Sequence, residues 1–137
     1  MTAEFVDTNI LLYAYTSDEP VKHQSAMELM KRLALDGNGA ISTQVLMEFY
    51  SVAVRKANLS HEAALRTLED LEPWSLHRPS HGDIVRAARL HKKQRISFSN
   101  AMVVNSALES RARILWTEDL NHGQRFGELT VRNPFKP

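Results

Sequence analysis

Two acids follow predicted strand ends, and a third acid and one amide lie near the starts of predicted helices that face the same edge of the sheet. Asp7 ends the apolar run "AEFV", and Asp119 follows the apolar run "RILWT". Glu48 lies one turn into a helix that begins near Ser42, and Asn100 lies in the first turn of the helix before "RILWT". Because the carboxyl ends of parallel strands share one edge, where ligands collect, we expect these four side chains to converge.

Such a cluster predicts a particular chemistry. Carboxylates that face one another raise each other's pKa, so a purely acidic cluster is unfavourable without a counter-charge. Mg²⁺ and Mn²⁺ prefer hard carboxylate oxygens and retain several bound waters. A bound metal ion can activate water and stabilise a phosphoryl transition state. The pattern therefore predicts metal-dependent hydrolysis of a phosphodiester.

Each of the four residues also has a structural explanation when taken alone. Asp7 could cap the helix that follows it, and Asp119 could serve only as a turn residue. Glu48 could lie at the rim of the core, with its stem covering apolar surface. Asn100 could be a first-turn residue beside a cap at Ser97. All four explanations would have to hold together, which favours the metal site.

Composition excludes several other classes of site. The chain has no Cys, which excludes disulfides, thiolate metal sites and a Cys nucleophile, and fits a reducing cytoplasm. No glycine-rich phosphate loop, nucleophile elbow or ligand-spaced pair of His occurs. A net charge of +1 permits nucleic-acid binding only if the charges are segregated. The basic residues that could contact a polyanionic backbone lie on two predicted helices: Arg55, Lys56, Arg89, Lys92, Lys93 and Arg95.

The elements that position the acids are five short apolar runs with helical segments between them. The runs are "AEFV", "AIS", "WSLH", "RILWT" and "LTVRN". Strands that alternate with helices predict a parallel sheet with helices on both faces. A length of 137 residues predicts one domain over residues 1–137. No uninterrupted apolar run is long enough to predict a membrane span.

Local signals predict where the helices begin and end. Pro20 opens a helix that ends at Gly37, and Ser80 with Asp83 forms a capping-box pattern. The segment "EDLNHGQRFGE" predicts a polar loop before the last strand. A further helix from Ser60 is expected to bury four apolar residues, namely Ala64, Leu65, Leu68 and Leu71.

Four segments together resemble one family, the PIN-domain ribonucleases, and within it the toxins of VapBC toxin–antitoxin pairs. They are "FVDTNILLYAY", "STQVLMEFYSV", "ISFSNAMVVNSALE" and "LWTEDLNHGQRFGELTVRNPF", and they span nearly the whole chain. The resemblance implies a three-layer α/β/α fold with a parallel sheet of about five strands. It also implies Mg²⁺- or Mn²⁺-dependent cleavage of RNA, inhibition of translation, a cognate antitoxin and a homodimer.

The resemblance also assigns roles to individual residues. Asp7, Glu48 and Asp119 match the first, second and fourth acids of the family, which act in catalysis and metal binding. Thr117 matches a small hydroxyl residue often found beside the metal. Asn9 matches an amide that orders the opening motif.

Asn100 departs from the family pattern. The third acid is normally the Asp of an "SFxDA" motif, and this chain reads "SFSNA". An amide keeps the shape of the side chain and removes one negative charge, so the same metal site would bind its cation more weakly. We therefore expect impaired cleavage, whether Asn100 is native or introduced. Two other interpretations stay open: a non-catalytic PIN domain that binds RNA or protein, and a metal-dependent phosphatase or DNA nuclease of similar architecture.

Overall fold

A six-stranded sheet forms the centre of the computed structural model, which describes residues 2–136. The elements, in chain order, are β1 (Glu4–Val6), α1 (Thr8–Tyr15), α2 (Pro20–Asp36), β2 (Gly39–Ser42), α3 (Thr43–Arg55), α4 (His61–Asp70), β3 (Ser75–His77), α5 (His81–Gln94), α6 (Phe98–Glu109), β4 (Ile114–Trp116), β5 (Arg125–Phe126) and β6 (Leu129–Arg132). The strand order is β3-β2-β1-β4-β6-β5. Helices cover the sheet in a three-layer α/β/α arrangement, which confirms the predicted fold class.

The sheet is parallel except at one edge, where the structure adds a strand to the five that the sequence predicts. β5 pairs antiparallel with β6, with Phe126 opposite Leu129. The chain reverses at Gly127, whose φ of 62° lies in the left-handed region that glycine tolerates. The expectation of a purely polar loop over "EDLNHGQRFGE" is therefore wrong at its end. A strand of two residues is too short to show an alternating pattern in the sequence.

Short polar residues cap the helices that begin at the carboxyl edge of the sheet. The Ser42 hydroxyl accepts a hydrogen bond from the Val45 amide and starts α3. The Ser97 hydroxyl accepts from the Asn100 amide and starts α6. Such caps satisfy amides that the first helical turn leaves without partners. They fix where Glu48 and Asn100 stand relative to the strand ends.

The predicted start and stop signals of the other helices are confirmed. Gly37 ends α2 in the left-handed conformation, with φ of 72°. Ser80 and Asp83 form the reciprocal capping box of α5. Among residues 2–136, none of the helices is long and apolar enough to cross a lipid bilayer.

The main core lies between the sheet and the helices, and its largest fully buried side chains include Phe5, Phe49 and Leu115. One predicted core position is wrong, because Leu65 is 42% exposed. Helix α4 instead turns Ala64, Thr67 and the following Leu71 inward, at the spacing of one helical face. Leu65 falls outside that face.

Candidate active site

Asp7 lies at the end of the central strand β1 and is 5% exposed. Its backbone amide donates to the Trp116 carbonyl at 3.0 Å, which continues the ladder between β1 and β4. One carboxylate oxygen, Oδ1, accepts from the Thr8 amide at 2.7 Å and caps α1. The other, Oδ2, accepts from the Thr117 hydroxyl at 2.8 Å. The capping explanation is thus correct, and the same carboxylate also takes part in a larger cluster.

Thr117 joins three of the residues singled out from the sequence. Its hydroxyl, which is fully buried, donates to Asp7 and accepts from Asn9 Nδ2 at 3.3 Å. It also accepts from the Asp119 amide at 3.1 Å. A hydroxyl has one donor and two acceptor positions, so Thr117 uses all of them here. It connects the end of β1 to the loop that carries Asp119.

Glu48 contacts the starts of two other helices. Its Oε2 accepts from the Thr8 hydroxyl at 3.2 Å. Its Oε1 accepts from Gln44 Nε2 at 3.1 Å and, at a long 3.5 Å, from the Ser99 hydroxyl. The sequence interpretation missed these three partners. Gln44 had a detectable signal, because residues four apart share one helical face.

Asn100 lies in the first turn of α6, next to Ser99. Its backbone amide forms the Ser97 cap at 3.0 Å, and its half-buried side chain makes no hydrogen bond within residues 2–136. Because Ser99 reaches Glu48, the first turn of α6 faces the acidic edge as expected. Asn100 is therefore a capped first-turn residue beside the acids, and a metal-binding role for it stays a prediction.

The acidic edge carries negative charge that the protein does not neutralise. The pKa of Asp7 is raised from 3.8 to about 6, mainly by burial and to a smaller extent by the charges of Asp119 and Glu48. Hydrogen bonds from Thr117 and Thr8 lower that pKa and only partly offset the burial. Within residues 2–136, no Lys, Arg or His forms an ion pair with Asp7, Glu48 or Asp119. The local field therefore favours a bound cation.

The donor atoms at this edge suit a divalent metal ion. Carboxylates of Asp7, Glu48 and Asp119 are hard oxygen ligands of the kind Mg²⁺ and Mn²⁺ prefer. Beside them, Asn9 Oδ1 is buried and has no hydrogen-bond partner. In the described part of the chain, however, no three His, Cys, Asp or Glu side chains are grouped closely enough to hold a metal by themselves. The charges of Asp7, Glu48 and Asp119 act on one another, but the three carboxylates do not form a complete metal site. The side chain at the neighbouring start of α6 is the amide of Asn100.

A clamp that the sequence did not reveal holds the loop between Thr117 and Asp119. Glu118 accepts hydrogen bonds from the Tyr13 hydroxyl and from Lys22 Nζ, the latter at 2.9 Å. Lys22 also lies over the rings of Tyr13 and Phe135, at 4.9 and 5.3 Å from their centroids. The Glu118 hydrogen bond raises the pKa of Lys22. This contact fixes the residue just before Asp119.

The predicted RNA-contacting residues lie outside this cluster. Arg55 and Lys56 are at the far end of α3, about 10 Å along the helix from Glu48. The others are exposed on or just after α5, which leads into the start of α6: Arg89, Lys92, Lys93 and Arg95. Among residues 2–136, none of these six forms an ion pair. Their contact with RNA stays a prediction.

Comparison with known proteins agrees with the fold. A family model described as "PIN domain" matches residues 5–125. A toxin–antitoxin complex from Klebsiella pneumoniae superposes with a TM-score of 0.70 and 21% identity, covering 98% of this chain and 100% of its own. No curated protein sequence matches the chain significantly.

Two further solved structures have the same fold. VapC20 of Mycobacterium tuberculosis, a toxin that cleaves the sarcin–ricin loop, superposes with a TM-score of 0.64 and 17% identity over 82% of this chain and 87% of its own. VapBC2 of Rickettsia felis, bound to a promoter DNA fragment, gives a TM-score of 0.67 and 21% identity over 96% of this chain and 98% of its own. At these identities the likeness establishes the architecture.

Proposed function

The chain belongs to the PIN domain family, and on that basis we propose that it is a metal-dependent endoribonuclease toxin whose cleavage is impaired by Asn100. The observation that carries the proposal is the proximity of three acids at one sheet edge, with no basic residue of the described chain paired to them. Thr117 contacts the Asp7 carboxylate and the Asp119 amide, while Glu48 accepts from Thr8, the residue after Asp7. Such uncompensated acids at strand ends are typical of sites that bind a cation for function.

Each residue of the cluster has a distinct part in this proposal. Asp7, Glu48, Asp119 and Asn100 would hold Mg²⁺ or Mn²⁺, which when bound supplies water activation and stabilises charge on the phosphoryl group. Thr117 keeps the Asp7 carboxylate in one orientation by donating to Oδ2. Asn9 would order the opening motif through its hydrogen bond to that hydroxyl.

The proposal also gives a physical reason to expect weak cleavage by this form. Asn100 contributes a neutral carbonyl oxygen where a carboxylate would complete the acidic set. The remaining acids bind a cation less tightly as a consequence, and the bound ion holds its water less favourably. Without a cation, Asp7 is also partly protonated near its raised pKa of about 6.

A second candidate function follows from the same residue. A PIN domain with an amide at this position could bind RNA or a protein without cutting it, and Asn100 itself favours that alternative. Retention of Asp7, Glu48 and Asp119 favours the nuclease, because a domain released from catalysis has no need of three clustered acids.

The partners follow from the family and from an apolar groove beside the acids. The Klebsiella pneumoniae structure is a toxin–antitoxin complex, and the Rickettsia felis structure is VapBC2. We therefore propose that this chain also binds an antitoxin. A groove of about 430 Å³ borders Glu48 and exposes Met47 by 67%, Ile84 by 48% and Phe98 by 42%. Apolar surface of this kind suits a segment of the antitoxin. Homodimerisation, inhibition of translation and a cytoplasmic location complete the proposal.

A comparison of RNA, DNA and a phosphate monoester as substrates tests this function. The Asn100→Asp chain is expected to cut single-stranded RNA in the presence of Mg²⁺ or Mn²⁺, and to leave a DNA strand of the same sequence and a simple phosphate monoester largely intact. Denaturing gels of labelled strands measure the cleavage, with EDTA as the metal-free control. The Asn100→Asp, Glu48→Gln chain is the matched control for contaminating ribonuclease, and it should be inactive. Equal cleavage of DNA, or no cleavage of either strand, would reject the proposal.

A further inference from the structure

A second charged surface lies between the end of α2 and the sheet, away from the helices that carry the predicted RNA contacts. It is a cleft of about 360 Å³ that crosses strands β1, β4, β6 and β5. Its charged lining consists of four arginines and three acids, which leaves a net positive charge: Arg32, Arg113, Arg125, Arg132, Glu4, Asp36 and Glu128. We refer to Arg113, Arg125 and Arg132 as the arginine track.

The arginine track differs from Arg32 in having no internal partners. Arg32 donates to Glu4 at 2.9 Å and lies 3.8 Å from Asp36, so its charge is already compensated. Within residues 2–136, none of the three track arginines forms an ion pair or a side-chain hydrogen bond, and all three are exposed. Each guanidinium therefore has its five N–H donors available to an anion.

Strand register places Arg125 and Arg132 on one face of the sheet, and Arg113, which lies just before β4, lines the same cleft. Thr130 stands opposite both Ile114 and Arg125, and Arg132 stands opposite Trp116. Because side chains alternate along a strand, Thr130 and Arg132 share a face and lie ~6.7 Å apart. That interval is of the same order as the separation of successive phosphates in an extended single strand. The spacing therefore suits a polyanion better than one small ion.

The end of the track at Arg132 adjoins the acidic edge. The Thr117 amide donates to the Arg132 carbonyl at 3.1 Å, and the Thr117 hydroxyl contacts Asp7. Trp116 lies in the same row as Arg132, is half-buried, and donates its indole N–H to Glu4 at 2.8 Å. A positively charged groove beside a fixed aromatic ring is the usual combination in surfaces that bind single-stranded nucleic acid.

We propose that the arginine track binds the phosphate backbone of the RNA that flanks the cleaved bond, along the cleft beside β4, β6 and β5. This inference rests on the proposed ribonuclease function and adds a path for the substrate. Guanidinium groups bind phosphates through paired, charge-assisted hydrogen bonds. The track extends from Arg132 beside the acids to Arg113 and Arg125 at the other end of the cleft.

The test replaces the two arginines farthest from the acids. Arg113→Gln, Arg125→Gln is compared with Lys31→Gln, Arg66→Gln, which removes the same charge from exposed residues of α2 and α4 that have no ion pair in the described chain. Fluorescence anisotropy of a labelled single-stranded RNA, measured with EDTA over a range of salt concentrations, gives the dissociation constant. Thermal melts check that both variants fold.

The arginine variant is expected to weaken binding of a long RNA by about tenfold at moderate salt, and to reduce the salt slope of binding by about 1.4 for two lost phosphate contacts. The dissociation constant of the Lys31→Gln, Arg66→Gln control should stay within about twofold of that of the parent. In the Asn100→Asp background, cleavage of a trinucleotide should be unchanged, because so short a strand does not reach the track.

Other outcomes separate the inference from the function on which it rests. If the parent binds long RNA and the arginine variant binds it equally well, the inference is wrong and the ribonuclease proposal stands. Equal weakening in both variants would reject the track as well, since net charge alone would explain it. Loss of affinity for pyrophosphate without loss for RNA would make the cleft a small-anion site and overturn the inference. If the parent binds no RNA, both proposals fail.

Discussion

Replacing Asn100 by Asp is expected to increase the rate of metal-dependent RNA cleavage by about a thousandfold. The substitution preserves the shape of the side chain and the Ser97 cap, which uses only the backbone amide of residue 100. It adds a carboxylate beside Glu48, at the start of α6, where the side chain makes no hydrogen bond within residues 2–136. The fold should therefore be unchanged while the metal site gains its missing charge.

Single-turnover cleavage of a labelled RNA by parent and variant measures this effect. Asn121→Asp is the matched control, because it adds the same charge in the exposed loop after Asp119. It should leave the cleavage rate close to that of the parent. Comparable rates in the parent and the Asn100→Asp chain would show that Asn100 does not limit activity.

Asp7→Asn is expected to stabilise the metal-free protein by about 3 kcal/mol at pH values well above 6. Burial raises the pKa of Asp7 from 3.8 to about 6, so the folded chain binds this proton more tightly than the unfolded chain. The contribution of Asp7 to the free energy of unfolding is therefore fully present below pH 3.8 and is lost as the pH rises through about 6. An uncharged Asn, which can still accept the Thr8 cap, removes this loss.

Thermal melts in EDTA across this pH range measure the difference. The melting temperature of Asp7→Asn should exceed that of the parent by about 10 °C at high pH and approach it at low pH. Asp18→Asn, at an exposed acid, should change the unfolding free energy by less than about 0.5 kcal/mol. In the Asn100→Asp background, Asp7→Asn should also abolish cleavage. A destabilised Asp7→Asn protein at high pH would contradict the assignment of an unfavourable buried charge.

The positions of the acids were predictable because strand ends are visible in the sequence. Asp7 and Asp119 each follow a short apolar run, and parallel strands bring such ends to one edge. Glu48 was recognisable as an acid in apolar surroundings near the start of α3. These arguments need only the order of strands and helices, which the alternating pattern supplies.

The partners of the acids were not predictable, since they depend on how distant side chains meet. Thr8 reaches Glu48 across 40 residues of sequence, and Ser99 reaches it across 51. The clamp between Lys22 and Glu118 spans 96 residues. No local pattern marks any of these contacts, because each depends on the packing of two separate elements.

The arginine track was missed for a related reason. In the sequence, the basic residues that predict RNA binding most clearly are those that recur within helix α5. Arg113 precedes β4, Arg125 lies in β5 and Arg132 lies in β6, and only the folded sheet brings the three to one cleft. The two-residue strand β5 was itself invisible as a pattern, so the surface it completes could not be inferred.

Titration of Mn²⁺, followed by electron paramagnetic resonance of the free ion, tests most directly whether Asp7, Glu48, Asp119 and residue 100 form one metal site. The Asn100→Asp chain is expected to bind one Mn²⁺ at least about tenfold more tightly than the parent. The Asn100→Asp, Glu48→Gln chain should lose that gain. Equal and weak Mn²⁺ binding by all three chains would contradict the existence of the site.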